Sequence, residues 1–343
     1  MGEPGVDTRD GTSASALSSL ARGLTAIARA LAFLALLAIP VPVLARLTGV
    51  EWGPLAVLVS LMPWVTLATA IPVVLSLLAR AWVLLAFSLA VAALCGWWIA
   101  PLYVASAADG DVAMRVATFS LANGQADADA VVELAHGRDL DLLVLTELTP
   151  QALERLDEAG LSDVMPYSAA YPGDWKFGTG LWSTHPIAQA ESLPGFTAQA
   201  IRVEVGTGDG HLTVVAAHPE SPGVLDHADW DADLSALVDV LAAQEGPVIV
   251  AGDLNSTRDH AGFREIEGLG YADASDEAGA GVNATYPNGP MGFHHGPPMW
   301  LSQPLVGIDH VLARDTGMVA AEVATVAMPW SDHRALVATY RWP

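Results

Sequence analysis

The chain has 343 residues, 52% of them hydrophobic, and a mean hydropathy of +0.39, which excludes an ordinary soluble enzyme of this size. Its formal net charge of −23 argues against a protein that holds nucleic acid mainly through phosphate contacts, because little basic surface is left for them. The single cysteine, Cys95, lies in an apolar run, so disulfide, zinc–thiolate and cysteine-nucleophile chemistry outside the membrane is excluded.

The first hundred residues predict a membrane anchor. Residues 1–25 are small and polar without an apolar period, which predicts a disordered tail. Three apolar runs follow at Ala28–Leu47, Pro54–Leu78 and Ala81–Tyr103, each close to the roughly 20 residues that a bilayer core requires. The tight break "LLARAW" between the last two favours a helical hairpin. A signal peptide is the alternative for the first run, but two more runs behind it count against that reading.

Arginines near the span ends predict the orientation, because basic residues beside spans tend to stay cytoplasmic. Arg22 and Arg29 precede the first span and Arg80 marks the turn between the second and third, against Arg46 alone in the first loop. This bias favours a multi-pass cell-membrane protein with a cytoplasmic N-terminus. Three spans then put everything after Tyr103 outside the cytoplasm.

Residues 104–112 read as a linker, and residues 113–343 as one large domain. Strand-like and helix-like stretches alternate first, and strand pairs dominate later. This order predicts an α/β sandwich of two sheets with helices outside. The predicted strands are "AMRVATFSLAN", "LDLLVLTEL", "TGLWSTHPIAQAESL", "AIRVEVG", "HLTVVAAHP", "PVIVAGDLN", "GIDHVLA", "EVATVAMP" and "RALVATYRW", and the predicted helices are "ADADAVVELAHGRD", "TPQALERLDEAGL", "DWDADLSALVDVLAAQ" and "HAGFREIEGLG".

Polar residues fall where these strands end, which is where α/β proteins collect catalytic groups. They are Asn123, Glu147, His218, Asp253, Asn255, Asp309 and the "SDHR" before the last strand. Because side chains two apart on a strand share a face, Asp253 and Asn255 are expected to point at one place. An acid and an amide together suit a hard cation and a phosphoryl oxygen. Taken singly, each of these residues could equally be a turn or cap residue.

The motifs "GDLN", "GIDHVL" and "SDHRAL", in this order after an early Asn and the Glu of "LLVLTEL", resemble the endonuclease/exonuclease/phosphatase superfamily. The resemblance covers Ala113 to Trp342 and implies a deoxyribonuclease-like, four-layer α/β sandwich that hydrolyses phosphate esters with a metal. The whole arrangement is similar to the VanJ-type teicoplanin-resistance membrane proteins of actinomycetes. The similarity rests on three spans followed by such a domain, with "AAHPESP", Trp230 and "GDLNSTRDHAGFR". That likeness implies a role in antibiotic resistance.

The resemblance implies a metal site made of Asn123, Glu147 and Asp332. Their oxygen donors suit Mg²⁺, or Mn²⁺, which keeps several waters and needs few protein ligands. The cation is expected to bind a phosphate oxygen and stabilise charge that grows in the transition state. Whether one metal or two are used stays open.

The resemblance also implies the catalytic residues. Asp309 is expected to hold one imidazole nitrogen of His333, leaving the other to activate or orient the attacking water. Asp253 is expected to orient or deprotonate that water, and Asn255 to hold a phosphate oxygen. His218 is expected to donate to the phosphate as a cation or a hydrogen-bond donor. The identity of the general base stays open.

The pattern departs from many relatives at "WSTHPI", where Thr184 replaces a common arginine and so removes a positive charge expected near the site. Arg202 or Lys176 could supply that charge, although a surface role is the better prediction for both. His185 and Trp182 are predicted to be packing residues, as is His310, which should face away from the site.

One further stretch, Asn283–Gly307, is rich in Pro and Gly and precedes Asp309. It predicts a long loop beside the site, a place for substrate selection. Its His294, His295, Met299 and Trp300 could contact substrate or simply tack the loop to the body.

Together these features predict a membrane-anchored, extracytoplasmic phosphoesterase acting on a phosphodiester, phosphomonoester or pyrophosphate, with a lipid or cell-wall lipid intermediate as the leading substrate. A nuclease is the enzymatic alternative, and the acidic charge counts against it. A catalytically inactive binding module of the same fold is the other. None of the eight predicted site residues is missing, which favours the enzyme.

Overall fold

The computed structural model describes residues 9–208, 210–223, 226–289 and 303–343. The chain divides into two compact units. The helical unit comprises Met1–Leu47 and Met62–Ile99, and the larger unit comprises Thr48–Leu61 and Ala100–Pro343. The larger unit therefore includes a short segment that follows the first apolar run and extends into the start of the second.

The described N-terminal helices are α1 Arg9–Ala38, α2 Pro40–Thr48, α3 Pro54–Ser60, α4 Met62–Ala68, α5 Ala70–Leu78 and α6 Trp82–Ile99. Two helical stretches, Leu17–Thr48 and Trp82–Tyr103, are long and apolar enough to cross a membrane. A third candidate, Pro54–Ser60 with Met62–Leu78, is bent by 70° and counts only if the bent pair is one span. The structure thus supports a membrane anchor, with two clear candidate spans instead of the three predicted.

The bend corrects the prediction of a single middle span. Pro63 is the second residue of α4, so it lacks the N–H that a continuous helix would bond, and its ring clashes with the preceding turn. The predicted disorder of residues 1–25 also needs correction, since α1 begins at Arg9 while residues 1–8 lie outside the described range. Leu17, Leu20 and Leu24 recur at helical spacing, and extending an established helix costs little.

Two six-stranded sheets form the body of the larger unit. Their strands are β1 Val112–Ser120, β2 Leu142–Thr146, β3 Tyr167–Tyr171, β4 Thr179–Ser183, β5 Ile187–Leu193, β6 Ala200–Thr207, β7 Gly210–Ala216, β8 Val248–Asp253, β9 Ala272–Asp273, β10 Asp309–Arg314, β11 Val319–Ala327 and β12 Arg334–Arg341. The first sheet has the order β11-β12-β1-β2-β4-β3, and the second β5-β6-β7-β8-β10-β9. Both sheets are mixed, with β1 parallel to β2 and β7 parallel to β8.

Alternating side chains build the core on both faces of each sheet. Val116 and Val144 of the first sheet pack in one cluster with Val214 and Ile249 of the second, so the sheets face each other. The opposite face of the first sheet packs against α7 Ala128–Gly137, α8 Pro150–Glu158 and α9 Leu161–Val164. The outer face of the second sheet packs against α10 Ala228–Ala242 and α11 Ala261–Gly268. A short helix, α12, spans Ala274–Glu277. The predicted four-layer α/β sandwich is confirmed.

Some predicted strand boundaries are wrong. The run "TGLWSTHPIAQAESL" is not one strand, because it breaks before Pro186 and its halves, β4 and β5, join different sheets. Strand β3 was missed, since "YSAAY" has no clear alternation of apolar residues. The predicted linker is held on the domain, where the Ser106 amide donates to the carbonyl of Glu277 at 2.7 Å.

Candidate active site

The predicted residues gather at one edge of both sheets. Asn123 and Glu147 follow the ends of β1 and β2, which are parallel neighbours. On the second sheet Asp253 and Asp309 are direct partners across the β8–β10 ladder, and His218 follows β7, the parallel neighbour of β8. Strands that run the same way end at the same edge, so the topology brings these side chains together.

Asp309, His333 and Asp253 form the centre of the site. Asp309 begins β10 in the second sheet, and His333 directly precedes β12 in the first. The Nδ1 atom of His333 lies 2.8 Å from Oδ2 of Asp309, and its Nε2 lies 3.6 Å from Oδ2 of Asp253. The Nε2 atom of His218 is also 3.6 Å from that Asp253 oxygen. All four side chains are buried, so these interactions join the two sheets in a water-poor setting.

Neighbouring carboxylates control the charge of His333. Burial alone would lower the pKa of this imidazole, but Asp309 and Asp253 raise it well above its ordinary value. Burial raises the pKa of Asp253 to about 8, with His333 opposing the rise and Asp309 adding to it. Burial therefore opposes the ionised form of Asp253 at neutral pH, and the charge of His333 favours it.

His218 is neutral near pH 7. Burial lowers its pKa to about 4, and the charge of His333 adds to the effect. Burial therefore disfavours the cationic form of His218 and leaves a neutral imidazole with one N–H donor.

Asn123 and Glu147 face each other beside this centre. The backbone N–H of Asn123 donates to Oε2 of Glu147, and both residues are half-buried. Burial raises the pKa of Glu147, opposed by the Asn123 hydrogen bond and the His333 charge, while Asp332 adds to the rise. The charges of His333 and Asp332 therefore both act on the carboxylate of Glu147. The amide oxygen of Asn123 and these two carboxylates are hard oxygen donors of the kind that a divalent cation prefers.

Among the described residues, one group of His, Cys, Asp or Glu side chains has its potential ligand atoms within 4.8 Å of one another, namely Asp253, Asp309 and His333. These were predicted to be catalytic and not metal ligands. The Oδ1 atom of Asp309 is buried without a hydrogen-bond partner in the described structure, so this carboxylate retains capacity for a further contact. The site thus fits a divalent metal by its donors, at this group or at the neighbouring oxygens.

Asn255 reaches the site by a turn and not by sharing a strand face with Asp253. Strand β8 ends at Asp253, and Asn255 has a left-handed backbone with φ of 46°. The backbone N–H of Asn255 donates to Oδ1 of Asp253 at 2.9 Å. Its side-chain Nδ2 donates to the backbone carbonyl of Pro219 at 3.0 Å. The side-chain carboxylate of Asp253 therefore closes an Asx turn that folds the loop back over the β7 end.

Left-handed backbone recurs in the site residues. Asn123 has φ of 53° and Glu147 has φ of 57°, in addition to Asn255. Asparagine tolerates this conformation, whereas glutamate adopts it seldom. Such residues concentrate at functional sites, where surrounding contacts hold an unfavourable conformation.

Several candidates outside this set lie elsewhere. Thr184 follows Ser183, which pairs with Leu142 at the start of β2, so it sits at the opposite end of β4 from the site. The predicted loss of a positive charge near the site through Thr184 is therefore wrong. Arg202 forms ion pairs with Glu191 and Glu204 on the sheet surface.

Of the remaining candidates, one lies at the site and three lie away from it. Lys176 lies at the site, because its Nζ is 2.6 Å from Glu220 and its charge acts on Glu147 and His218. Trp182 packs beneath the outer helices, and His185 is 3.4 Å from Asp141. His310 is buried with its Nδ1 2.8 Å from Asp273, as expected of a packing residue that faces away from the site.

Other site residues were missed by sequence reasoning. The Tyr286 ring lies 5.0 Å from that of His333, centroid to centroid. The Ser331 hydroxyl donates to Ser120 at 2.7 Å and accepts from the His333 amide at 3.0 Å, which fixes the approach to β12. The position of Ser331 in "SDHR" was a usable signal, and Tyr286 belongs to the predicted loop Asn283–Gly307 but was not singled out within it. The predicted loop contacts of His294, His295, Met299 and Trp300 lie outside the described residues.

Comparisons with known proteins agree with this fold. The model of the Endonuclease/Exonuclease/phosphatase family matches residues 116–333. The TDP2 structure from D. rerio, complexed with a single-strand DNA product, has 16% identity and a TM-score of 0.54, covering 66% of this chain and 98% of that one. The 3' phosphatase NExo from Neisseria, bound to a product DNA hairpin, has 17% identity and a TM-score of 0.51, covering 67% and 100%.

An endonuclease/exonuclease/phosphatase from Beutenbergia cavernae is 19% identical with a TM-score of 0.50, covering 68% of this chain and 72% of that one. No curated protein gives a significant match. At these identities the solved structures establish the fold, and the family model spans well over half of the chain. The chain belongs to the endonuclease/exonuclease/phosphatase family.

Proposed function

We propose that this protein is a membrane-anchored, metal-dependent phosphoesterase that hydrolyses a phosphodiester, phosphomonoester or pyrophosphate outside the cytoplasm. One observation carries the proposal: Asp309, His333, Asp253 and His218 converge in a buried cluster where the ends of both sheets meet. A carboxylate–imidazole pair facing a second carboxylate is suited to moving a proton to or from a reacting oxygen.

The residues divide the work by their geometry. Asp309 holds Nδ1 of His333 and leaves Nε2 directed at Asp253, so the protonated imidazole donates to a water bound between them and the ionised carboxylate of Asp253 takes the proton of that water. His218, as a neutral imidazole, donates to a phosphate oxygen. Asn255 retains its Oδ1 and one N–H beyond the bond to Pro219, and that N–H is available to a second phosphate oxygen.

Asn123, Glu147 and Asp332 would hold the cation, Mg²⁺ or Mn²⁺. When bound, the cation supplies positive charge to the phosphoryl oxygens. Glu147 keeps Oε1 for this role, because the Asn123 amide occupies Oε2. A cation there would also favour the ionised forms of the surrounding carboxylates, whose pKa values burial otherwise raises.

A lipid-borne phosphate is the proposed substrate class. The apolar helices support membrane attachment, and attachment raises the effective concentration of any substrate in the same bilayer. The resemblance to VanJ-type teicoplanin-resistance proteins adds a cell-wall lipid intermediate, and with it antibiotic resistance, as the narrower proposal. The chain's net charge of −23 disfavours tight phosphate-backbone binding.

A nuclease is the second candidate. Two solved structures of similar fold hold DNA products, TDP2 of D. rerio and the 3' phosphatase of Neisseria. Parallel assays with phospholipids, prenyl pyrophosphates and DNA separate the two. Hydrolysis of a lipid substrate is expected; cleavage of DNA alone would refute the lipid proposal.

The proposed topology has the N-terminus in the cytoplasm. Thr48–Leu61 and Ala100–Pro343 belong to one compact unit, so residues 62–99 leave that unit and return to it. If the unit lies wholly on one side of the membrane, Met62–Leu78 and Trp82–Ile99 must cross as a pair. Leu17–Thr48 then makes the third crossing, and the Arg80 turn lies on the cytoplasmic side with the N-terminus.

The enzymatic proposal is tested on the full chain in detergent, with bis-p-nitrophenyl phosphate and Mg²⁺ or Mn²⁺. We expect Glu147→Ala and His333→Ala to lower kcat by at least about 100-fold, because each removes a group that acts in the transition state. His136→Ala is the matched control, as His136 is an exposed histidine on α7. Equal turnover in all four proteins would contradict the assigned site. Absence of hydrolysis of every phosphate tested would favour the inactive binding module.

A further inference from the structure

Residues 48–61, which follow the first apolar run and include the start of the second, are part of the larger unit and pack on its helices. Glu51 Oε1 accepts a hydrogen bond of 2.8 Å from the amide of Ala261, the first residue of α11. The side chain of His260, the N-cap of α11, makes no cap bond, so Glu51 supplies an acceptor that this helix start otherwise lacks. Farther along, Ala56 on α3 is fully buried against Trp230 and Leu234 of α10.

His260 connects this segment to the loop after β8. Its Nδ1 accepts from the Thr257 amide at 2.8 Å, and its Nε2 lies 3.0 Å from the carbonyl of Ala56. An amide can only donate and a carbonyl can only accept, so the ring is the neutral tautomer with hydrogen on Nε2. Burial lowers the pKa of His260 to about 4, in agreement with a neutral ring. One imidazole thus holds α3 and the loop together.

Trp230 provides a second connection to the same loop. Its Nε1 donates to the backbone carbonyl of Asn255 at 3.1 Å. Its ring lies edge-on to His260, with centroids 5.1 Å apart, and packs on Ala56. Both connections begin at α3 and end within residues 255–257, directly after Asp253. A displacement of α3 therefore reaches a loop that the proposed chemistry uses.

We propose that residues 48–61 act as a strap that positions the Asn255 loop of the catalytic centre, with Trp230 and His260 as the positioning residues. The inference rests on the proposed function for its kinetic consequence, since it assigns to Asn255 a place at the phosphate. It adds that the membrane-anchor sequence contributes directly to the catalytic domain. Activity is then expected to depend on a part of the chain that touches no substrate.

The first test uses Trp230→Phe in the full chain, which keeps most of the packing and removes the Nε1–H donor. We expect kcat/KM for bis-p-nitrophenyl phosphate to fall about tenfold, the effect of one hydrogen bond. In an Asn255→Ala background the same substitution should have no further effect, because the backbone carbonyl that accepts from Trp230 remains but the side chain that the loop positions is gone. Val57→Ala is the control, as Val57 neighbours Ala56 on α3 but is 41% exposed. An equal loss in both backgrounds, or none in either, would overturn the proposal.

A second test is independent of catalysis. Ala56→Leu adds volume against Trp230 and should push α3 away from α10. Amide hydrogen exchange on the full chain in detergent is expected to become faster in residues 253–260 of this variant and of Trp230→Phe, with β1 and β2 unchanged. Unchanged exchange in residues 253–260 would refute the strap even if no phosphoesterase activity is found. Faster exchange there without any activity would refute the proposed function and leave the strap standing.

Discussion

Four histidines are buried in the described part of the larger unit, and they differ in charge because their neighbours differ. His218 and His260 are held neutral by burial, with pKa values of about 4. Burial opposes the charged form of His310 and His333 too, yet Asp273 raises the pKa of His310, and Asp309 raises that of His333. The carboxylates hydrogen-bonded to His310 and His333 outweigh burial, whereas at His218 burial and the charge of His333 lower the pKa even though Asp253 is 3.6 Å away.

The neutral state of His218 leads to a prediction about its substitution. If His218 acts as an uncharged donor, His218→Gln retains an N–H of similar reach and His218→Ala does not. We expect kcat/KM of the Gln variant to exceed that of the Ala variant by about tenfold, the value of one hydrogen bond. Steady-state kinetics on the generic phosphodiester measures the difference. Equal losses in the two variants would contradict the donor role.

At the scale of elements, α11 depends on a residue far away in sequence. Glu51 caps its first turn from the strap, and burial raises the pKa of Glu51 to about 7. The Ala261 hydrogen bond and the charge of Arg264 oppose the rise, while Asp231 and Asp259 add to it. The ordinary value is 4.5, so the folded protein binds a proton here more tightly than the unfolded chain does.

This difference gives stability a defined pH dependence. The contribution of Glu51 is most favourable below about pH 4.5, falls as the pH rises from there to about 7, and stays at its lowest above that. Glu51→Gln keeps an acceptor for the Ala261 amide and does not ionise. We expect the Tm of the wild type, measured in detergent, to fall more than that of this variant between pH 5 and pH 8. Glu265→Gln, at an exposed position on α11, is the control, and parallel curves for wild type and Glu51→Gln would refute the linkage.

At the scale of the whole molecule, the path of the chain constrains the anchor. Because residues 48–61 and the sandwich form one unit, the hairpin from Met62 to Ile99 has both ends connected to that unit. A topology with only Leu17–Thr48 and Trp82–Tyr103 crossing would split the unit across the membrane. The bent middle pair is therefore proposed to contribute a crossing through Met62–Leu78, with α3 left beside the sandwich.

Cysteine labelling of the full chain tests this topology. In a Cys95→Ser background, Thr184→Cys and Arg80→Cys place single thiols on an exposed residue of the sandwich and in the interhelical turn. We expect a membrane-impermeant maleimide to label the first in intact bacterial cells, and the second only after permeabilisation. Labelling of Arg80→Cys alone in intact cells would reverse the proposed orientation.

The sequence by itself determined the fold class and the apolar character of the N-terminal helices, and it predicted a set of polar residues that the structure brings together at one edge of the sheets. Alternating apolar side chains specify strands, and "LTEL", "GDLN", "GIDH" and "SDHR" keep their order at strand ends, so local patterns were sufficient. The sequence misplaced features that depend on distant partners. Thr184 was assigned to the wrong end of β4, "TGLWSTHPIAQAESL" was read as one strand, and Asn255 was expected on a strand face.

Only the tertiary structure decided how these parts act on one another. Burial and neighbouring charge set which histidines are neutral, and neither is local in sequence. The sheet register brings Asp253 opposite Asp309 across a gap of more than fifty residues. The same holds for the strap, because the bonds of Glu51 and Ala56 to Ala261 and His260 join residues about two hundred positions apart. Such contacts arise from tertiary packing, so no periodicity or motif in the sequence indicates them.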